Sequence, residues 1–387
     1  MLSERTISLV KSTIPLLSSA GSAVTAHFYQ RLFTHNPELK HIFNMTNQQT
    51  GKQHFALFNA IAAYATHIDN PSVLQEAISR INHKHVSLNI QAEHYNIVGH
   101  HLIETLKKLA PNEFTPEIAQ AWREAYALLA DLFITQEEGL YQQGEQQVGG
   151  WRNQRAFIIS DIVQESVNVK SFYLTPKNGC AIASYQAGQF IALSVQPPLS
   201  DYTQIRQYSL SQSANKNTYR ISVKKQGLVS THLHQLVIGD TVLLYPPAGD
   251  FVLHNTPTDK VFISAGVGIT PMMAMLEQAL NSHKNNKLLF IHACANESEH
   301  SFKQVIESKA QQHKNLSKEI WYENTQSGDQ SGRIELSQSK LALPLEHGEF
   351  YLCGPTAFMA TIKQQLLSLG VAPARILYEV FGPHETL

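Results

Sequence analysis

Arg206-Gln207-Tyr208-Ser209, then about sixty residues on Gly266-Val267-Gly268-Ile269-Thr270-Pro271, then Cys353-Gly354-Pro355, and last Glu379-Val380-Phe381-Gly382-Pro383: these four runs, in this order, decide how the chain is read. The first lies in a β-rich stretch, where alternation sends Arg206 and Tyr208 to one face and Gln207 and Ser209 to the other. The second follows the apolar run Val261-Phe262-Ile263 and precedes the helical pattern Met272, Met275, Leu276, Leu280. A glycine turn between strand and helix lets the backbone approach a pyrophosphate, and the helix terminus adds N–H donors and partial positive charge. Thr270 is expected to cap that helix, with Pro271 in its first turn. The third run closes the strand Phe350-Tyr351-Leu352, at the end of an open α/β sheet where ligands bind.

Working outward, short β-rich runs at 157–159, 167–174, 190–195, 219–223 and 242–245 are separated by turn residues, as a small antiparallel barrel requires. After Pro257 strand and helix alternate, which argues for a parallel sheet with helices on its faces. Upstream the spacing is helical. Ile7, Val10 and Ile14 follow a Ser3 cap, Pro15 should bend or end that helix, and further stripes continue to Leu132 and Phe133. Such a pattern describes an all-α domain with short connections. Residues 142–150 are polar and aperiodic, as in a joint between domains. The expected division is an all-α domain at 1–140, a linker at 141–150, an antiparallel β-barrel at 151–256 and an α/β parallel-sheet domain at 257–387.

A chain of 387 residues exceeds one ordinary core, and 43% hydrophobic residues suffice for several. With 30 basic against 31 acidic residues there is no electrostatic footprint for nucleic acid. Cys180, Cys294 and Cys353 are odd in number and in no metal-ligand spacing, so a reducing compartment, the cytoplasm, is expected. Glu4 and Lys11 interrupt the N-terminal apolar stretch, which argues against a signal peptide, and no apolar run approaches the roughly 20 residues that span a bilayer.

The four runs resemble the ferredoxin-reductase family, in which one domain holds FAD and the next delivers a hydride from a nicotinamide cofactor. The resemblance implies a flavin-binding segment at Arg206, Gln207, Tyr208 and Ser209. Arg206 forks onto the FAD pyrophosphate, Tyr208 packs on the flavin ring and Ser209 bonds its edge. Phe190, in Gly188-Gln189-Phe190, stacks where relatives often carry an aromatic alcohol. Ser230, in Gly227-Leu228-Val229-Ser230, is expected as an N-cap, with free N–H groups around Val229 and Ser230 suiting the flavin pyrophosphate. Cys353 is either beside the nicotinamide or a buried structural cysteine, and the residues leave both open. The tail, with Val380, Phe381, Gly382 and Pro383, places Phe381 near the flavin. Ala295-Asn296-Glu297-Ser298-Glu299 is acidic and lacks arginine, favouring NADH over NADPH.

The helical part contains Ala26-His27-Phe28-Tyr29, Asn36-Pro37-Glu38-Leu39, Ile42-Phe43-Asn44-Met45, Leu57-Phe58-Asn59-Ala60-Ile61, Lys84-His85 and Tyr95-Asn96-Ile97-Val98-Gly99. These strings resemble a globin, and the whole chain resembles bacterial flavohaemoglobin from end to end. The resemblance singles out His85 among nineteen histidines as the ligand of haem b iron, ahead of its neighbours His83 and His94. It implies that Tyr95 and Glu137 hold the other ring nitrogen, giving imidazolate character that favours oxygen activation. It also places Tyr29 and Gln53 against iron-bound oxygen and Phe43 and Leu57 against the porphyrin, with Lys84 and Glu379 tuning the haem potential. Gln53 and Leu57, four apart, share a helix face. The implied activity is nitric oxide dioxygenation and NO detoxification: NADH reduces FAD, FAD reduces haem, and O2 oxidises NO to nitrate. The small molecules O2 and NO, and no second chain, are the expected partners. Two other readings stay open: an oxygen store or sensor whose reductase keeps haem ferrous, and an NADH-dependent flavin reductase of ferric iron or quinones.

Overall fold

Ser3 starts the first helix as its spacing predicts, its Oγ accepting the Thr6 N–H at 3.0 Å ahead of α1 (Glu4–Ser12). The break comes at Thr13, and Pro15 lies in the first turn of α2 (Ile14–Ala20), where its missing N–H leaves no hydrogen bond unmade. There follow α3 (Ser22–His35), α4 (Lys52–Thr66), α5 (Gln75–Ser87), α6 (Ala92–Leu109) and α7 (Pro116–Gln146). The computed structural model describes residues 2–20, 22–43, 52–198, 200–325 and 327–382, without the side chains of 18–20, 22 and 52–56. It divides into two compact units, residues 1–146 with 198–205 and residues 147–197 with 206–387.

Among its described residues the helical unit has two apolar clusters. One gathers Val10, Phe28, Tyr29, Leu32, Leu102, Leu106 and Trp122, and the other Ile78, Tyr95, Ala130 and Phe133. Gly99 allows α6 to close on α7, because a Cβ there would lie 2.4 Å from the Tyr126 ring. The same Tyr126 donates its hydroxyl to the Tyr95 carbonyl at 2.7 Å, which fixes the backbone that carries Tyr95. One expectation is corrected here. Most of the polar run read as a joint is helical, through Gln146, and only 147–150 leave the helix. Gln and Glu are good helix formers, and Tyr141, buried and donating to the Ile90 carbonyl at 2.8 Å, secures this last part of α7.

From Arg155 onward β1 (Arg155–Ser166), β2 (Val169–Pro176), β3 (Phe190–Val195), β4 (Gln204–Ser209), β5 (Tyr219–Lys224) and β6 (Thr241–Leu244) form an antiparallel sheet of order β4-β3-β6-β1-β2-β5. A bridge from Leu210 to Ile221 brings the run after β4 onto β5, joining the two edges at that point. Alternating apolar residues such as Phe157, Phe172, Ile191 and Tyr219 fill its interior. The rest is a parallel sheet of order β10-β9-β8-β7-β11-β12, with β7 (Lys260–Ala265), β8 (Leu288–Cys294), β9 (Leu316–Tyr322), β10 (Gln330–Ser331), β11 (Glu349–Cys353) and β12 (Ile376–Glu379). Between them lie α8 (Leu228–Leu233), α9 (Ile269–Ser282), α10 (Lys303–Gln312) and α11 (Thr356–Ser368). The central strands are apolar on both faces, as buried parallel strands must be. The strand order reverses between β7 and β11, and such a switch point opens a crevice at the carboxyl ends of the strands.

Candidate functional site

Three helices converge on one imidazole. His85, in the last turn of α5, has its Nδ1 2.8 Å from Glu137 Oε1 on α7 and 2.9 Å from the Tyr95 hydroxyl on α6. Tyr95 donates to the same Glu137 oxygen at 2.5 Å, and Glu137 is only 2% exposed. With a carboxylate as acceptor Nδ1 carries the proton, so Nε2 presents its lone pair. Burial and the Glu137 charge hold the Tyr95 phenol far above its ordinary pKa, so it remains a donor. His94 is committed elsewhere, its Nδ1 accepting the Gln91 N–H at 3.0 Å in a capping box.

Tyr29 is 5% exposed and stands in an aromatic group, 5.8 Å from the Phe43 ring, 5.8 Å from Phe33 and 5.1 Å from Phe28. Leu57 packs on the same cluster. The Gln53 side chain and Pro383 lie outside the described residues. The donor set fits a haem: one imidazole nitrogen with its partner nitrogen anchored, and an aromatic wall that ends in a phenol.

Arg206, Gln207, Tyr208 and Ser209 lie on β4 as alternation predicts. Burial lowers the Arg206 pKa and raises that of Tyr208, and Ser209 is buried. Phe190 is tied to Ala248 by paired backbone bonds of 2.9 Å, and its ring lies over Gly249. The expected cap at Ser230 is corrected: Gly227 is the N-cap of α8, and Ser230 sits inside the helix. Its Oγ accepts the N–H groups of Gln226 and Gly227, both at 2.9 Å, so the hydroxyl secures the chain entering the helix. Val229 is buried in the barrel core.

At the nucleotide turn Gly266 is left-handed (φ 54°) with open space where a side chain would stand, which fits the close approach of a pyrophosphate. Gly268 has a different reason for being glycine: a Cβ would lie 2.2 Å from the Cys353 carbonyl oxygen. The second and third sequence runs thus meet across the switch point. Thr270 does not cap the helix, because α9 begins at Ile269 and the Thr270 hydroxyl donates to the Val267 carbonyl at 2.9 Å. Gly268, Ile269, Thr270 and Pro271 are buried, and only Gly266 and Val267 of the turn are partly exposed. The Cys353 thiol points into the core, fully buried, and desolvation with the Glu379 charge raises its pKa well above the usual thiol range. On β12 and beyond, Glu379 pairs in register with Cys353, Val380 packs on the core, Phe381 is 46% exposed and Gly382 has φ 147°. The acidic segment after β8 holds a surprise that spacing hid. Glu297 is paired with Lys303, and Glu299 lies 3.7 Å from Lys224, so two lysines stand beside it.

Comparison with known proteins follows the same division. Residues 26–132 match the Globin family model, 156–253 the oxidoreductase FAD-binding domain and 262–364 the oxidoreductase NAD-binding domain. A flavohemoprotein of Vibrio cholerae is 51% identical over 396 residues, covering 100% of each chain. The chain belongs to the flavohaemoproteins. Among solved structures, flavohemoglobin from Malassezia yamatoensis with bound FAD and heme is 27% identical, with a TM-score of 0.90 over 98% of this chain and 100% of that one. The FAD/NAD-binding domain of nitric oxide dioxygenase from Vibrio cholerae is 43% identical, with a TM-score of 0.56 over 60% of this chain and 100% of that one. As a flavohaemoprotein, the chain is an NAD(P)H-dependent oxidoreductase that uses haem and FAD. No helix among the described residues is long and apolar enough to cross a membrane.

Proposed function

We propose that this flavohaemoprotein is a nitric oxide dioxygenase that detoxifies NO in the cytoplasm. The observation that carries the reading is the His85–Tyr95–Glu137 cluster, in which a buried carboxylate and a phenol both hold Nδ1. Bound to this chain, FAD would supply hydride acceptance from NAD(P)H with one-electron delivery, and haem would supply the centre where O2 oxidises NO to nitrate. The chain's own residues supply placement and charge. Glu137 draws on the Nδ1 proton of His85 and makes the ring a stronger electron donor through Nε2, which suits oxygen activation better than storage. Tyr29 and Gln53 offer a phenol O–H and an amide N–H to a negatively polarised ligand, while Phe43 and Leu57 exclude water. Arg206 offers a guanidinium to a pyrophosphate, Tyr208 and Phe190 stack, and Ser209 bonds the flavin edge. Phe381, before Gly382 and Pro383, shields the flavin ring, and Lys84 and Glu379 tune the haem potential. The Gly266–Gly268 turn takes the dinucleotide.

Relatives of known activity support the reading, since one solved relative is a nitric oxide dioxygenase domain. NADH is the preferred donor because Glu297 and Glu299 offset the nearby lysines. The cytoplasmic placement draws on three free cysteines. The described site groups all lie on this chain, which supports action as a monomer. The test is NO loss by purified holoprotein with O2 and NADH, with nitrate as product. A store or sensor would consume NADH no faster when NO is added, and a plain flavin reductase would keep full activity without haem.

A further inference from the structure

Helix α9 does two things at once. Its first residues follow the dinucleotide turn, and its middle is fastened to the segment just beyond the flavin-binding strand and to β5. Glu277 is the fastening. Its Oε2 accepts the N–H of Ser213, four residues beyond the end of the Arg206–Ser209 run, at 2.8 Å, and its Oε1 lies 3.5 Å from Arg220 on β5. Arg220 in turn holds Ser211, two residues beyond that run: Nε donates to Ser211 Oγ at 3.2 Å and Nη2 to the Ser211 carbonyl.

The pair is mostly removed from water, with side chains 9% and 18% exposed. A desolvated ion pair is weak evidence for stability and is better suited to selecting one geometry. Phe302 adds to the same point. It is 2% exposed, has φ 61° without being glycine, and its ring lies 5.2 Å from the Arg220 guanidinium. The left-handed region is unfavourable for phenylalanine, so the surrounding packing holds this ring against a backbone penalty. A second fixing lies beside it: the Ala187 N–H reaches Gln278 Oε1 at 3.4 Å, and Gly188 (φ 108°) leaves room for Met275. Glu277 is eight residues into α9, about 12 Å along its axis from the turn. A tilt of the helix at Glu277 would therefore displace the turn relative to β4.

We infer that Glu277 is a positioning residue for hydride transfer: through Ser213 and Arg220 it sets the dinucleotide turn against the flavin-binding strand. The inference rests on the NAD(P)H and FAD half of the proposed function and is independent of NO chemistry. Productive transfer needs reacting atoms within about 3–3.5 Å, and a misplacement on the order of 1 Å costs on the order of 100-fold.

The experiment compares holoprotein with Glu277→Ala and Glu277→Gln in anaerobic stopped-flow reduction by NADH and by its 4-deuterated form. Alanine removes both contacts, whereas glutamine keeps an oxygen for the Ser213 N–H. The expected result is full FAD content and an NAD+ affinity within about threefold of the parent, with a limiting rate of flavin bleaching lower by on the order of tenfold in Glu277→Ala. Glu277→Gln should recover part of that loss. The deuterium effect should change, and the long-wavelength absorbance of NAD+ against reduced flavin should weaken. A purely structural role would lower the melting temperature and leave these signatures intact. A limiting rate within about threefold of the parent, with an unaltered isotope effect, overturns the inference. If the alanine variant fails to fold, the glutamine variant decides on the isotope effect and the long-wavelength band: a change in them supports the inference and their constancy overturns it. Failure of the parent flavin to bleach with NADH would defeat the reductase reading itself.

Discussion

Gly268→Ala isolates the contact that joins the two nucleotide motifs. The new Cβ would lie 2.2 Å from the Cys353 oxygen, 2.4 Å from its carbon and 2.6 Å from the Gly354 nitrogen. All three are backbone atoms at the end of a fully buried central strand, so no rotamer change relieves the clash. Carbon contacts settle near 3.5 Å, so the turn or the strand end must move by about 1 Å. Gly268 has ordinary negative φ (−62°), so the effect is steric and owes nothing to backbone strain. Overpacking of this kind costs about 1–3 kcal/mol of stability. A displacement on the order of 1 Å at the dinucleotide turn should slow hydride delivery on the order of 100-fold. The assay is anaerobic stopped-flow bleaching of the flavin across a range of NADH concentrations. The haem Soret band and the FAD content should stay unchanged. Gly370→Ala is the control: φ is 86° with open space around it, so it costs about 1 kcal/mol and leaves flavin reduction untouched. The reasoning is refuted if Gly268→Ala reduces flavin with parental affinity and rate.

Further outcomes follow from the same geometry. Glu137→Gln weakens the hold on His85 Nδ1, and should lower NO turnover by about 10-fold or more while leaving NADH-to-flavin reduction intact; the iron–histidine stretch in Raman spectra should fall with it. Tyr29→Phe should raise the O2 dissociation rate and lower NO turnover, and unchanged oxygen release would remove Tyr29 from the distal role. Glu297→Gln removes one of the two carboxylates beside Lys303, leaving Glu307 at 3.9 Å, and should shift preference toward NADPH several-fold; equal binding of 2′-phosphorylated and plain adenosine nucleotides by parent and variant would contradict it. His300 is buried and its pKa is lowered to about 4, so below pH 6.5 the unfolded chain takes up a proton that the folded one refuses. Stability from this group is present above pH 6.5 and declines toward pH 4 by about 1.4 kcal/mol per unit, and His300→Gln should flatten urea midpoints over that window.

Much of the fold was legible because period and punctuation agreed. The apolar runs at Val261-Phe262-Ile263 and Phe350-Tyr351-Leu352 became central parallel strands, and Ser3 became the cap it looked like. The errors lay at helix ends. Thr270 and Ser230 are good capping residues one or more positions too late, because a glycine ahead of each begins the helix and leaves the hydroxyl to a backbone partner inside the turn. The polar run after Tyr141 carried no periodicity because it buries little, yet it remains helical. What sequence could not show were pairings over long separations. Arg220 and Glu277 lie 57 residues apart, and Lys224 and Glu299 belong to different sheets' neighbourhoods, so no local pattern reports them. Arg220 alternates with Tyr219, Ile221 and Val223 on the polar side of its strand, with Ser222 and Lys224, so the pattern does not mark it as buried.

The most direct measurement mixes oxidised holoprotein with NADH in the absence of oxygen and follows the flavin and Soret bands together. The yellow absorbance should be lost first, and the ferric Soret band should then move to its ferrous position. His85→Ala should abolish the second phase while sparing the first. A flavin that bleaches beside a haem that stays ferric would contradict this electron path.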